Sequence, residues 1–340
     1  MTPELFTAGG VMLDCIVTAD GALALEVPGG NALHSAVGAA VMGARAGIVG
    51  RVPQDFPFAA LAASPVDLGG LLREAAPMPA PEWFFHRSDG SRVDRLHATV
   101  AEAAAFGVQG GRIAPALARA WEGYLLSRAD PQGGWAAFRA AHPVGPQQVP
   151  GAWWSARGVH VAPGPTASQL ALAHAARAAG MLVTLDPGFT ARGLSPDSLS
   201  ALLATCDVFL PSEAELRALR PGLAPAAALA SLAVPGGPLL IAKLGGAGAL
   251  VLDPAEGVAH PVPALRTTAP DPTGAGDAFA GGLLAGLLRG EPPVAAARRG
   301  AVAASLAVQG PGALAPLRAP AAEVTARLAA LQDLPVRSAS

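Results

Sequence analysis

Asp271-Pro272-Thr273-Gly274-Ala275-Gly276-Asp277-Ala278-Phe279-Ala280-Gly281-Gly282 is the stretch that decides how this chain is read. After it, Phe279, Leu283 and Leu287 recur every fourth residue with Leu284 and Leu288 beside them, the stripe of a buried amphipathic helix. Small residues at 274–276 leave the first N–H groups of that helix uncovered. Such N–H groups, together with the helix dipole, favour an anion. Phosphoryl transfer needs this arrangement, because the transferring group must be held while charge develops on it. Asp277 stands one residue beyond and can accept a proton from an attacking hydroxyl. The helix dipole is expected to keep it ionised. A simple cap on a chain turn would also use Gly-x-Gly-Asp, but a second aspartate at 271 and the long apolar helix argue for more than a cap. Two other phosphate loops are excluded. A Walker A loop requires Gly-Lys-Ser/Thr, and the sole lysine, Lys243, is followed by Leu244. A dinucleotide fingerprint from Gly274 wants glycine or alanine at 279, where Phe stands.

Outward from this turn, strands alternate with helices. Phe6–Val17 reads as the first strand, with Asp14 near its end, and Ala22–Val27 as a strand projecting from the main sheet. Gly29-Gly30-Asn31 opens a helix carrying Leu33, Val37 and Val41, which Gly43 ends as a left-handed residue. Ala46–Val49, Val159–Ala162, Met181–Leu185, Asp207–Leu210, Leu239–Ala242 and Gly248–Leu252 read as further strands. Helices are expected at 167–179, from Ser212, and at 274–288, 293–308 and 321–331. The pattern implies a mostly parallel sheet covered on both faces. Residues 53–157 are weaker. Trp83–Arg87 and Ser91–Val100, around Ser88-Asp89-Gly90, suggest a hairpin. Helix-like pieces lie about Trp121 and Phe138, and 130–157 is expected to be an insertion or mobile loop.

Composition narrows the function. Of 340 residues, 51% are hydrophobic and 14% charged, and a net charge of −2 argues against nucleic acid as a partner. Cys15 and Cys206 are too few and too distant for a disulfide framework or a zinc cluster. No long apolar run escapes charge, proline or glycine, so no membrane span is expected. The start, Met1-Thr2-Pro3-Glu4, has no basic segment leading into an apolar core, and a cytoplasmic location is expected.

The turn resembles the C-terminal signature of the PfkB, or ribokinase-like, carbohydrate kinases, Asp-Thr-x-Gly-Ala-Gly-Asp, with Pro272 where Thr is usual. Their N-terminal signature is matched by Gly29-Gly30-Asn31 through Met42-Gly43-Ala44 and by Val49-Gly50-Arg51-Val52-Pro53-Gln54-Asp55. Between them, Pro211-Ser212-Glu213-Ala214-Glu215 is similar to the family's Asn-x-x-Glu motif, and Lys243-Leu244-Gly245-Gly246-Ala247-Gly248 to its nucleotide-side glycine turn. The motifs stand in the family's order and span about 9–55 and 158–314. The resemblance implies a single α/β domain over 1–340: a mostly parallel central sheet, helices on both faces and a small β lid, at about 15–29 and 81–106. It implies ATP and Mg²⁺, a sugar or sugar-like substrate, and lids that pair into homodimers.

It also implies roles. Asp277 is the base, and Gly274, Ala275 and Gly276 form the anion hole. Asp14, Gly30 and Asn31 hold substrate hydroxyls. Lys243, Gly245, Gly248 and Thr273 fall on the nucleotide side, and Glu215 acts on Mg²⁺ through water. A monovalent cation, K⁺, is placed at Asp271 and the 305–312 stretch. The residues leave alternatives. Ser212 replaces the usual asparagine and puts Mg²⁺ affinity in question. Lys243 equally fits a strand end in solvent, and Asp186-Pro187-Gly188 a plain turn. His86, Arg87 and Arg95 suit an anionic substrate group or an exposed hairpin. Trp153-Trp154 suits packing, a pocket wall or a dimer contact. A nucleoside kinase of the same family, with Tyr124 among the few base-stacking aromatics, and a member that binds without catalysing are the competing readings.

Overall fold

A computed structural model describes residues 2–20, 22–62, 64–87, 92–95, 99–105 and 134–332, with scattered positions from 113 to 123. Its strands are β1 (Leu5–Ala8), β2 (Met12–Val17), β3 (Leu23–Gly29), β4 (Ala46–Pro53), β5 (Asp67–Glu74), β6 (Glu82–His86), β7 (Arg92–Arg95), β8 (Gly158–Val161), β9 (Leu182–Leu185), β10 (Val208–Phe209), β11 (Leu239–Lys243), β12 (Ala249–Leu252) and β13 (Ala259–Val262). Nine of them form one sheet, ordered β13-β12-β11-β10-β9-β8-β1-β4-β5, parallel except that β12 runs antiparallel to both β11 and β13. Side chains alternate across it. Leu5 and Ile48 enter one apolar layer, Phe6 and Val49 the other. Helices Asn31–Val41, Ala275–Leu288 and Pro293–Ala307 cover the first layer; Thr166–Ala178 and Pro196–Thr205 cover the second. Burial on both faces is why the strands read as apolar runs.

The chain builds from β1 to β4 and β5 on one side, then returns to β8, β9, β10 and β11 on the other. At such a reversal the loops leaving neighbouring strands diverge and open a crevice at the carboxyl ends. Asn31 spans it: its Oδ1 accepts the Gly10 N–H at 2.8 Å and its Nδ2 donates to the Pro163 carbonyl at 2.9 Å.

Residues 6–17, expected as one strand, are two. Gly9-Gly10 break the ladder, leaving β1 in the large sheet and β2 in a second sheet ordered β3-β2-β6-β7. This small sheet is formed by the segments expected as the lid. Cys15, Val17, Trp83 and Phe85 make its own core, while Asp14, Glu82, Phe84 and His86 alternate onto the face toward the body. The hairpin expected around 88–90 is present as antiparallel β6 and β7, its turn lying outside the described residues.

The stretch expected to be an insertion or mobile loop is, from 134 to 157, part of the body. A helix, Gly134–Ala141, sinks Trp135 completely and packs its ring against Phe56 and Phe138; Trp153 is buried beside Phe6. Residues 130–133 and the helix-like piece at Trp121 lie outside the described residues. Two strands had no clear signal. β5 contains Gly69-Gly70, poor strand formers, yet the Ile48 carbonyl and the Trp153 ring leave no room for a side chain at 70. β13 carries Pro261, tolerated because it is an edge strand. Among the described residues no helix is long and apolar enough to cross a membrane.

Candidate active site

Charged groups gather where the parallel strands end. Asp186 follows β9, Ser212 caps the Glu213–Leu219 helix after β10, and Lys243 is the last residue of β11. Facing them, Gly274 takes the left-handed conformation (φ 73°) and starts the Ala275–Leu288 helix, with Asp277 in its first turn. Gly38 and Gly281 let that helix meet the Asn31–Val41 helix: a Cβ on Gly281 would run into the Ser35 carbonyl, and one on Gly38 into that of Ala278. The glycine contact fixes the 271–276 turn against the Gly30-Asn31 turn.

Lys243 is not in solvent. It is buried, 8% exposed, and ion-paired with Asp186, and its side chain lies 3.6–3.7 Å from where a Cβ on Gly276 would be. Asp186 is both turn and site: Oδ1 accepts the Gly188 N–H at 3.0 Å while Oδ2 takes the lysine. Glu215 closes a capping box, its Oε2 accepting the Ser212 N–H at 2.7 Å and Ser212 Oγ accepting the Glu215 N–H at 3.4 Å. Of the amides expected to form an anion hole, that of Ala275 bonds the Pro272 carbonyl at 3.3 Å, and no acceptor among the described residues takes that of Gly276.

Asp277 is half-buried, and its titration corrects the expectation that the helix dipole holds it ionised. Burial, then repulsion from Asp186 and Glu215 against the attraction of Lys243, push its carboxyl up to about 8. Glu215 is raised too, by burial and then Asp186. Burial works against the charge on Lys243, but Asp186, Glu215 and Asp277 outweigh it and hold the ammonium above its usual range. Three carboxylates thus face one ammonium. This surplus of negative oxygen fits a divalent cation. Among the described residues no three His, Cys, Asp or Glu side chains converge to ligate one directly, so the fit is to an ion that keeps its waters.

Beside this cluster opens a cleft of about 650 Å³. Lys243, Gly245, Gly248 and Gly276 line one side, Leu265, Ala304 and Val308 the apolar other. Gly245 (φ 56°) and Gly248 (φ 94°) give the turn its backbone approach to this space. Thr273, expected here, points elsewhere: its hydroxyl is 3.2 Å from His86 Nε2.

Toward the lid, Asp14 is 1% exposed. Its Oδ1 has no partner, and its Oδ2 lies so close over Gly29 that no side chain fits there. Burial first, then Glu82 and Asp271, raise its carboxyl well above the usual range, opposed by Arg139 and Arg92. Arg92 also pulls on Asp277 and lies over the Phe84 ring, 4.7 Å from its centroid. Gly30 (φ 95°) caps its helix, and the Asn31 amide is committed to the crevice bridge.

Several of these residues were not singled out by sequence. His34 is three residues after Asn31, on the same helix face. It is 3% exposed with neither ring nitrogen partnered, packs on Gly274, and is held neutral by burial, at about 4. Arg139 reaches Met12 and Glu82 from the 134–141 helix, where no periodic signal pointed to a site. Asp186, read from sequence as part of a plain turn, carried one overlooked signal, its place at the carboxyl end of a strand in a parallel sheet. His86 is no exposed hairpin charge: it is 2% exposed and 2.9 Å from Asp271 Oδ1. The Arg95 side chain and Tyr124 lie outside what the structure describes.

Comparison with known proteins gives the same direction. Residues 152–320 match the model of the pfkB family carbohydrate kinases. A cytidine kinase of Thermococcus kodakarensis is 26% identical over 292 residues, 85% of this chain and 90% of that protein. Among solved structures, a Methanocaldococcus jannaschii nucleoside kinase of the ribokinase family superposes with a TM-score of 0.68 at 20% identity, covering 96% of this chain and 98% of its own. An Arabidopsis thaliana ribokinase complexed with ribose and ATP gives 0.67 at 21%, covering 96% and 99%.

Proposed function

The chain belongs to the pfkB family of carbohydrate kinases, and from that premise we propose that it transfers the terminal phosphoryl group of ATP to an alcohol of a sugar or sugar-bearing substrate. One observation carries this reading. Gly276 and Lys243 line a glycine-lined cleft of about 650 Å³, and Asp277, next to Gly276 in the first helical turn, feels the charge of Lys243. The cleft takes the nucleotide, its apolar wall of Leu265, Ala304 and Val308 suiting the adenine. Asp14 and the Gly30-Asn31 turn hold the acceptor under the lid, where the unpartnered Asp14 Oδ1 is left for a hydroxyl.

The acceptor hydroxyl gives its proton to the Asp277 carboxylate as its oxygen bonds to the γ-phosphorus. The bond from that phosphorus to the bridging oxygen breaks, and ADP leaves. Lys243 and the first N–H groups of the helix offset the charge on the phosphoryl oxygens, a form of stabilisation that preorganised donors supply without rearranging. Glu215 and Asp186 would hold Mg²⁺ through its waters, and the ion would supply charge neutralisation to the phosphates. A carboxyl pushed up to about 8 is a stronger base than an ordinary aspartate and sits near the working pH, where general bases act best.

A nucleoside acceptor is the second reading, favoured by the 26% identity to a cytidine kinase. Incubation of the full chain with ATP and Mg²⁺ against ribose, hexoses, sugar acids, cytidine and adenosine separates the two. ADP and a phosphorylated product are expected with one class. No ADP with any acceptor, despite tight nucleotide binding, would instead mark a protein that binds without catalysing.

A further inference from the structure

The family resemblance places a monovalent cation at Asp271 and the 305–312 stretch, and the oxygens there do not fit one. Such a cation is held by oxygen lone pairs. Here the Asp271 carboxylate, both Ser305 oxygens, Gln309 Oε1 and the Val308 carbonyl already accept N–H groups. Asp271, fully buried, takes the Thr273 N–H at 3.0 Å and His86 Nε2 at 2.9 Å on Oδ1, and the Gly312 N–H at 3.4 Å on Oδ2. Since an ionised carboxylate only accepts, Nε2 carries the proton of that contact. Arg327, from the Ala321–Gln332 helix, donates to the Ser305 carbonyl at 3.0 Å, to Ser305 Oγ at 2.7 Å and to Gln309 Oε1 at 2.9 Å. The Val308 carbonyl accepts the Asp271 N–H at 3.4 Å.

We infer that this chain replaces the cation with its own side chains. His86 from the lid braces the 271–274 loop, and Arg327 from the Ala321–Gln332 helix holds the 305–309 segment that packs beside it, so that phosphoryl transfer needs neither K⁺ nor Na⁺. Two features support it beyond occupancy. His86 is the last residue of β6 on the lid face that also carries Asp14, so one strand contacts both the acceptor position and the anion-hole loop. Asp271 is two residues before Thr273 and three before the helix-opening Gly274, so whatever holds its carboxylate sets the aim of the helix N-terminus. His86 is therefore a positioning residue, tying the small sheet to the Asp271 carboxylate.

The inference rests on the kinase reading, and the test keeps the two apart. Turnover of the full chain is measured in KCl and in tetramethylammonium chloride at equal ionic strength. Binding of thallium(I), a K⁺ mimic, is measured separately by titration calorimetry without substrate. The wild type is expected to give equal kcat in both salts and no saturable thallium binding. His86→Ala is expected to lose kcat roughly 10- to 100-fold, the equivalent of one hydrogen bond to a charged group, to recover part of it in KCl and to gain thallium binding. His86→Gln, which keeps an N–H donor, is expected to retain most of the rate without added cation. Activation of the wild type by KCl, saturable thallium binding to it, or a His86→Ala variant indistinguishable from it would each overturn the inference. If no acceptor is ever phosphorylated, the thallium measurement still decides whether Asp271 is a cation site.

Discussion

Asp277 is held above its ordinary range by burial and by two neighbouring carboxylates, and its titration has consequences of definite sign. Between the usual carboxylate value near 4 and about 8, the folded chain keeps a proton that the unfolded chain has released. Stability contributed by this group therefore falls as pH rises through that window. Asp277→Asn removes the penalty. The variant is expected to melt above the wild type at pH 8.5, with the difference vanishing near pH 4, as differential scanning calorimetry would register. The rate follows the opposite sign, because a base acts only when deprotonated. kcat/KM is expected to climb with pH and level off above about 8. Glu215→Gln, which removes one repelling charge, is expected to move that limb to lower pH whatever it does to the plateau; an unmoved limb would contradict the electrostatics described here. Sequence made Asp277 legible because its neighbours on both sides form a pattern. It could not give the titration, since Asp186 follows β9 and Glu215 lies in the helix after β10, both distant from Asp277 in sequence and brought near it only by the sheet.

The two helices that set the site meet through glycines, and this contact has a measurable strength. Gly281→Ala would push a methyl into the Ser35 carbonyl. Overpacking of this kind costs about 1–3 kcal/mol, to be read from the urea midpoint. Gly151→Ala, with nothing within 4 Å of the new methyl, is expected to leave the midpoint unchanged. A Gly281→Ala midpoint equal to that of the control would mean the helix crossing is looser than described. Helices starting at 275, 293 and 321 were legible to within a residue or two, because apolar period, proline and glycine agreed at their ends. The 6–17 strand was misread, since a glycine pair at 9–10 breaks a ladder without interrupting the apolar run. The 134–157 segment was misread for the converse reason: Trp135, Phe138 and Trp153 anchor it to the body with no period to announce them.

Across the molecule, the candidate site runs along the carboxyl ends of the strands, from the reversal between β1 and β8 out to β11. Asp14 and Asn31 come from the early chain, and Asp186, Lys243 and Asp277 from the late chain. The parallel architecture was legible from alternating strands and helices; the sheet order that brings these residues together was not, because register and neighbour choice depend on contacts no local pattern carries. Asn31→Ala, which unties Gly10 from Pro163, is expected to raise KM for the acceptor more than KM for ATP, since the bridge lies on the acceptor side of the crevice. Equal effects on both would place the bridge's influence on the whole sheet edge. All of this depends on residue 277 taking the proton while the helix start holds the phosphoryl group. The decisive comparison is single-turnover phosphoryl transfer from ATP, resolved by mass, in the wild type and in Asp277→Asn with nucleotide binding checked in parallel. The variant is expected to bind ATP as the wild type does and to form phosphorylated product roughly 10²–10⁴-fold more slowly. Product formation at the wild-type rate would contradict the assignment.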